Sequence, residues 1–236
     1  MIVLGFDTAT SATAVALLDS ATPAQAAERR HEPAPGERPG HATQLLALAV
    51  ELLEDAGLRF ADIDRIGVGL GPGTFTGLRI GVATARALAQ STAAELVGVS
   101  TLRALAAEAQ GAAPAGSAVL AVIDARRGEV YAAGWRDGQL LLEQVVLAPA
   151  RLASRVGCAG GPWLAVGDGA LRFREDLERV GCTVPPDGSS QHGVRARAVC
   201  RLALEAPQGT ERDLVVPDYL RSPDAVLPSP RSPSRD

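Results

Sequence analysis

Few residues in this chain have the types and spacing to do chemistry, and the spacing itself narrows what that chemistry could be. The richest run is GLGPGTFTGLRIGVATARALA, Gly69 to Ala89, in which a glycine-rich turn feeds a segment of small residues. Such a turn can cradle phosphates, but the Walker pattern needs a lysine after its last glycine. Here Gly77 is followed by Leu78 and Arg79, and the chain has no lysine. A dinucleotide fingerprint fails as well: Gly71 and Gly73 are followed by Gly77, one residue too late for the backbone to approach a pyrophosphate. His31, His41 and His192 form neither an HExxH helix nor a pair one turn apart, and no GxSxG elbow occurs. Cys158, Cys182 and Cys200 are odd in number and widely spaced, so reduced, mostly buried thiols are expected rather than a disulfide framework or a metal knuckle.

Composition limits the remaining classes. A length of 236 residues with 47% hydrophobic content supports one large domain or two small ones. A net charge of -4, with two tryptophans, two tyrosines and four phenylalanines, argues against a protein that holds nucleic acid alone. No apolar run reaches the roughly 18 residues of a membrane span, and MIVLGFDTATS lacks the features of a signal peptide, so a soluble, cytoplasmic protein is expected.

Around the glycine run, Ile2 to Asp7 and Thr13 to Leu18 read as a buried hairpin, with TATSA as its tight turn. A more polar strand over Ala24 to His31 suits a sheet edge, and EPAPGERPG is loop. A helix over His41 to Gly57, a strand over Arg65 to Leu70, a helix over Thr76 to Ser91 and a strand over Glu95 to Val99 follow. Three strands, helix, strand, helix, strand is the order of a ribonuclease H-like lobe. After a helix over Thr101 to Gln110, the linker GAAPAGS marks a boundary before three further β-prone runs. They cover Ala118 to Asp124, Val130 to Arg136 and Leu140 to Leu147. A short strand over Trp163 to Val166 and helices over Arg172 to Val180 and Arg195 to Glu205 complete the reading.

The first helix carries Leu45, Leu46, Leu48, Ala49, Val50, Leu52, Leu53 and Ala56 on an arc of roughly 200°, about twice what lying on one sheet requires. A second contact is implied, from a neighbouring helix of the same lobe or from a partner. In the second helix Gly77, Gly81, Ala85 and Ala89 recur every four residues, a smooth stripe for close packing, with Arg79, Arg86 and Gln90 opposite. Free amides at Thr74 to Gly77 could instead hold an anion.

GPGTFTGLRIGVATARALA resembles the GPGSFTGLRIG hallmark of the TsaB family, with Thr74 in place of the usual serine. LGFDTATSATAVAL, HATQLLALAVELLEDAGL, VIDARRGEVYAA, AVGDGA and PDYLR are similar to further family segments, so the resemblance covers nearly all of the chain to Arg221. It implies an α/β protein of the actin-like ATPase (ribonuclease H-like) fold with two lobes, each a mixed sheet with helices, the second reduced. Residues 1–110 would form the lobe carrying a partner interface, with a C-terminal helix 195–221 packing back on it. Residues 111–194 would form the smaller lobe and 222–236 a disordered tail.

The function so implied is that of a non-catalytic dimerisation subunit needed by the related enzyme TsaD, together with the ATPase TsaE. Their product is N6-threonylcarbamoyladenosine, at the adenosine 3′ of the anticodon in tRNAs reading codons that begin with A; contact of this chain with tRNA would be indirect. The histidine pair that TsaD-type proteins carry as NHLEGH is replaced here by VSTLRA, Val99 to Ala104, so no metal ligand is expected. No cofactor of its own is expected, a nucleotide at the subunit interface being left open. Asp7 and Thr8 stand where actin-like ATPases position magnesium or water, and a hairpin-turn aspartate bonding local amides fits equally well. Interface residues carried over by position are His41, Leu45, Leu46, Ala49, Leu52 and Leu53, with Phe75, Leu78, Gly81, Val82 and Ala85. Leu45→Asp or Leu52→Asp is thus expected to abolish pairing and leave the lobe folded. Ala42 replaces the family's more usual serine, which bears on capping of the helix. An autonomous actin-like ATPase or kinase and a scaffolding homodimer are the competing readings.

Overall fold

The computed structural model describes residues 1–34 and 36–221, so the expected tail over 222–236 lies outside the described residues. Strand β1 (Ile2–Asp7) pairs antiparallel with β2 (Thr13–Asp19), which pairs with the polar edge strand β3 (Ala27–His31). Helix α1 (His41–Asp55) leads to β4 (Arg65–Gly71), parallel to β1, and α2 (Phe75–Thr92) leads to β5 (Glu95–Ser100), parallel to β4. The sheet order is β3-β2-β1-β4-β5, followed by helix α3 (Thr101–Gln110).

The second lobe repeats this plan. Strands β6 (Ala118–Arg126), β7 (Glu129–Arg136) and β8 (Gln139–Leu147) form an antiparallel meander. Helix α4 (Pro149–Ala159) returns the chain to β9 (Trp163–Val166), parallel to β6. Two five-residue helices, α5 (Asp168–Arg172) and α6 (Arg174–Glu178), precede β10 (Cys182–Thr183), and α7 (Ala196–Glu205) follows. Sheet order β10-β9-β6-β7-β8 is the first lobe's order with each strand replaced by its counterpart. The second lobe is thus reduced in the length of its later elements, β10 having two residues, while its strand count equals that of the first.

Apolar alternation sends the two faces of the first sheet to different cores. Leu4, Phe6, Val15, Leu17, Ile66 and Val68 face α1 and α2, whereas Val3, Ala16, Leu18 and Val97 share a core with α3, α7 and the inner face of the second sheet. Close approach of α7 to the first sheet requires Gly5 and Gly67, where an added Cβ would lie 2.5 Å from Cys200 Sγ and 2.8 Å from Ala203 Cβ. The buried Arg65 guanidinium caps that helix by donating to the carbonyls of Ala203 (2.9 Å) and Ala206 (2.8 Å).

Two expectations need correction here. Of the two bounds expected for the last helix, Arg195 to Glu205 agrees with α7, whereas 195–221 is too long, because Pro207 cannot continue the helix; as far as Arg221 the chain is an extended strap with one short turn at Arg212–Leu214. Helix α4 escaped the sequence reading, its apolar Leu152, Ala153 and Val156 being set among arginines and small residues.

Candidate functional site

The glycine-rich turn sits at the carboxyl end of β4, beside the hairpin turn that ends β1. The reason for its glycines lies in that neighbour. A Cβ at Gly69 would collide with the Asp7 carboxylate, one at Gly73 or Gly77 with the carbonyls of Ala9 or Thr8, and one at Gly81 with the Thr8 hydroxyl. The stripe seats α2 on the chain's own first hairpin. Two hydrogen bonds fix the fit: Thr8 Oγ1 donates to the Gly77 carbonyl (2.7 Å), and the Thr74 amide donates to the Ala9 carbonyl (2.7 Å).

Asp7 and Thr8 are each 1% exposed. One Asp7 oxygen accepts from the Ala9 amide (2.8 Å) and the other from Thr101 Oγ1 (2.7 Å), which itself accepts from the Gly71 amide (3.1 Å). Burial pushes the carboxyl above its ordinary range, against the pull of the Thr101 and Ala9 bonds. These oxygens tie the turn, the glycine loop and the start of α3 together, the bonding that a hairpin-turn aspartate makes to local groups.

The second lobe's equivalent position is built differently. Asp124, near the end of β6, accepts from the Arg126 amide (2.8 Å) and from Arg172 (2.7 Å), while its own amide donates to Asp168 (3.0 Å) at the start of α5. The DAR segment and the later glycine turn therefore meet. Among the described residues no group of three histidine, cysteine, aspartate or glutamate side chains could hold a metal ion. Cys182 and Cys200 are buried free thiols and Cys158 an exposed one; burial raises the Cys182 thiol to about 11.

The helix faces divide the residues expected at an interface. His41, Leu45, Ala49, Leu52 and Leu53 of α1 are buried, as are Leu78, Gly81, Val82 and Ala85 of α2. Most of these side chains pack in the core beneath the first sheet. They cannot present area to a partner, so the expectation that Leu45→Asp or Leu52→Asp leaves the lobe folded is overturned. Leu46 and Phe75 do stand out, at 45% and 37% exposure. Val50, placed on the wide apolar arc but not carried over as an interface residue, joins them at 39%. Exposed Ala42, Leu46 and Val50 recur every four residues, a ridge along α1. Ala42 is not the cap, since α1 begins at His41 behind Gly40, and Thr43 Oγ1 bonds the Gly40 carbonyl (3.0 Å). His41 bonds Thr13 Oγ1 (2.8 Å), and burial holds its imidazole below the usual histidine range.

Two sheets of one topology, their strand-end turns facing across a shared core, define a two-lobed actin-like protein. The ROK hexokinase of Thermus thermophilus shares this fold with a TM-score of 0.53 at 16% identity, covering 87% of this chain and all of that one. Residues 37–160 match the family described as TsaD, tRNA N6-adenosine threonylcarbamoyltransferase. A Pseudomonas aeruginosa crystal structure described as an uncharacterized protein with similarity to peptidase YEAZ superimposes with a TM-score of 0.75 at 31% identity, over 93% of this chain and 99% of that one. The tRNA threonylcarbamoyladenosine biosynthesis protein TsaB of Escherichia coli K12 is 38% identical over 176 residues, 72% of each chain. The chain belongs to the TsaB family.

Proposed function

We propose that this chain is a non-catalytic, cytoplasmic subunit in the formation of N6-threonylcarbamoyladenosine at the adenosine 3′ of the anticodon in tRNAs reading codons that begin with A. It pairs with TsaD through the outer faces of α1 and α2, and TsaE completes the assembly. The observation that carries the docking face is the ridge of Ala42, Leu46 and Val50, apolar groups that the chain's own core leaves uncovered; Phe75 adds only the surface that Tyr219 and Arg79 leave free. Supporting the non-catalytic role, the carboxylate that an actin-like ATPase would turn to magnesium is enclosed here and bonded to Thr101 and Ala9. A similarity of 38% to a protein named for tRNA threonylcarbamoyladenosine biosynthesis supports the pathway.

Reconstitution tests the reading: TsaD, TsaE, threonylcarbamoyl adenylate and unmodified tRNA are incubated with and without this chain. Modified adenosine is expected only when the chain is present. An equal yield without it would sink the assignment, and ATP hydrolysis by the purified chain alone would favour an autonomous ATPase.

A further inference from the structure

Between α7 and Arg221 the chain is neither loose nor α-helical. Thr210 N–H donates to the Leu96 carbonyl (2.7 Å), Val215 is 1% exposed in the first lobe's core, and Asp213 pairs with Arg86 of α2. The chain then crosses from one lobe to the other within a few residues. The Asp218 amide donates to the Leu70 carbonyl at the end of β4 (2.8 Å), and its carboxylate accepts from Gln144 of β8 (2.7 Å). Gln144 also accepts from Ser100 of the first lobe (3.4 Å). Tyr219 stacks on Phe75 with ring centroids 5.2 Å apart, its hydroxyl accepting from Arg79 (3.1 Å). Arg221 donates to the Ala125 carbonyl of β6 (3.0 Å) and pairs with Glu129 of β7.

These anchors have a common location. Leu70 and Ala125 lie at the carboxyl ends of β4 and β6, parallel-paired strands of the two sheets, and in open α/β sheets the crevice outside those ends is where ligands bind. At their base the lobes already share one core through α3 and α7. A second attachment at the strand ends restrains the motion left to such a pair, a hinge about that base.

We propose that Val215–Arg221 is an inter-lobe latch: a strap rooted in the first lobe by Val215 and bonded to the second through Gln144, Ala125 and Glu129, holding the cleft shut at the strand ends. Its hold on the second lobe is a few polar bonds, with the partly buried Leu220 packed against the core that the lobes share, which suits a contact that can be released. Release would free the lobes to rotate about the α3–α7 core and would withdraw Tyr219 from Phe75.

The native cysteines allow a direct test. Cys158 on α4 is exposed, while Cys182 and Cys200 are buried and resist labelling. A spin label at Cys158 and a second at Glu54→Cys on the exposed side of α1 report the inter-lobe distance by pulsed dipolar spectroscopy. With the latch intact, one narrow distribution is expected; in Gln144→Ala/Arg221→Ala the distribution shifts to longer distances and roughly doubles in width. Superimposable distributions would overturn the latch. If far-UV dichroism shows that the double variant has lost its fold, Arg221→Ala alone is read in the same way. The unsubstituted protein gives an independent reading: the Asp218 amide must exchange its hydrogen at least about tenfold more slowly than an unstructured chain. Exchange at the unstructured rate would equally overturn the proposal.

Discussion

The two lobes place an aspartate at or next to the same point, the end of the first strand, and treat it in opposite ways. In the first lobe Asp7 is sealed beneath a long helix whose glycines press against the hairpin, its oxygens bonded to Thr101 and Ala9. In the second, Asp124 stands beside a helix of five residues and meets the arginines of its own hairpin and of α5. One topology therefore carries an aspartate held by a hydroxyl and a backbone amide and another held by arginines, both side chains being nearly enclosed. Both turns seat their helix on glycines, although the helices have eighteen and five residues: a Cβ at Gly77 would lie 1.9 Å from the Thr8 carbonyl oxygen and one at Gly167 2.0 Å from the Val122 carbonyl oxygen.

Substitutions that add one methyl group to each turn should break this comparison most sharply. At Gly77 the new Cβ meets the Thr8 backbone carbonyl, which cannot move without opening the hairpin, so Gly77→Ala is expected to cost about 3 kcal/mol or more. At Gly169, in the equivalent turn of the second lobe, the new Cβ meets the Ile123 backbone carbon at 2.9 Å and the Asp124 amide nitrogen at 3.0 Å, a less severe overlap, and Gly169→Ala should cost about 2 kcal/mol. Urea denaturation of both variants checks the ratio; equal losses would mean that the first turn is no more tightly packed than the second.

Removing one polar partner from each aspartate gives a smaller effect. Thr101→Val leaves a buried Asp7 oxygen and the Gly71 amide without their bond and should cost about 1–3 kcal/mol. Arg172→Ala removes a half-exposed partner of Asp124, and its cost should stay below about 1 kcal/mol. The same denaturation series reads both.

The smallest expected effect is a pH dependence confined to the first lobe. Because burial lowers the folded-state pKa of His41 beneath its ordinary 6.5, the unfolded chain takes up the proton more readily. Stability from this group is therefore full above about pH 6.5 and lost as pH falls through the window beneath it. His41→Gln should lose less stability than the unsubstituted protein between pH 7.5 and 5, measured by denaturation at each pH. A parallel fall in both would remove His41 from the account.

Much of this architecture was legible in the chain. Strand and helix periodicities placed the first lobe's elements to within a few residues, because each strand there alternates or runs apolar between clear turn signals. The destination of an apolar face was not legible. Leu45 and Leu46 are chemically alike, and only the rotation of α1 against its sheet buries one and exposes the other. The arc on α1 was wide enough to reveal a second surface, and it held both Leu46, which was carried over as an interface residue, and Val50, which was not. The glycine stripe likewise announced close packing without naming its neighbour, which at Gly77 and Gly81 is Thr8. The strap escaped detection because its anchors are backbone carbonyls, isolated polar side chains and single apolar ones such as Val215, which leave no periodic trace.

The central claim is that the outer ridge of α1, and not its buried side, meets TsaD. Titration of TsaD with the Leu46→Asp/Val50→Asp variant, followed by calorimetry, tests it most directly. Both side chains are exposed, so folding stability should change by no more than about 0.5 kcal/mol per site. Affinity should fall at least about a hundredfold, as expected when charge enters the apolar centre of an interface. Unchanged affinity in a variant with an unchanged unfolding midpoint would contradict the claim.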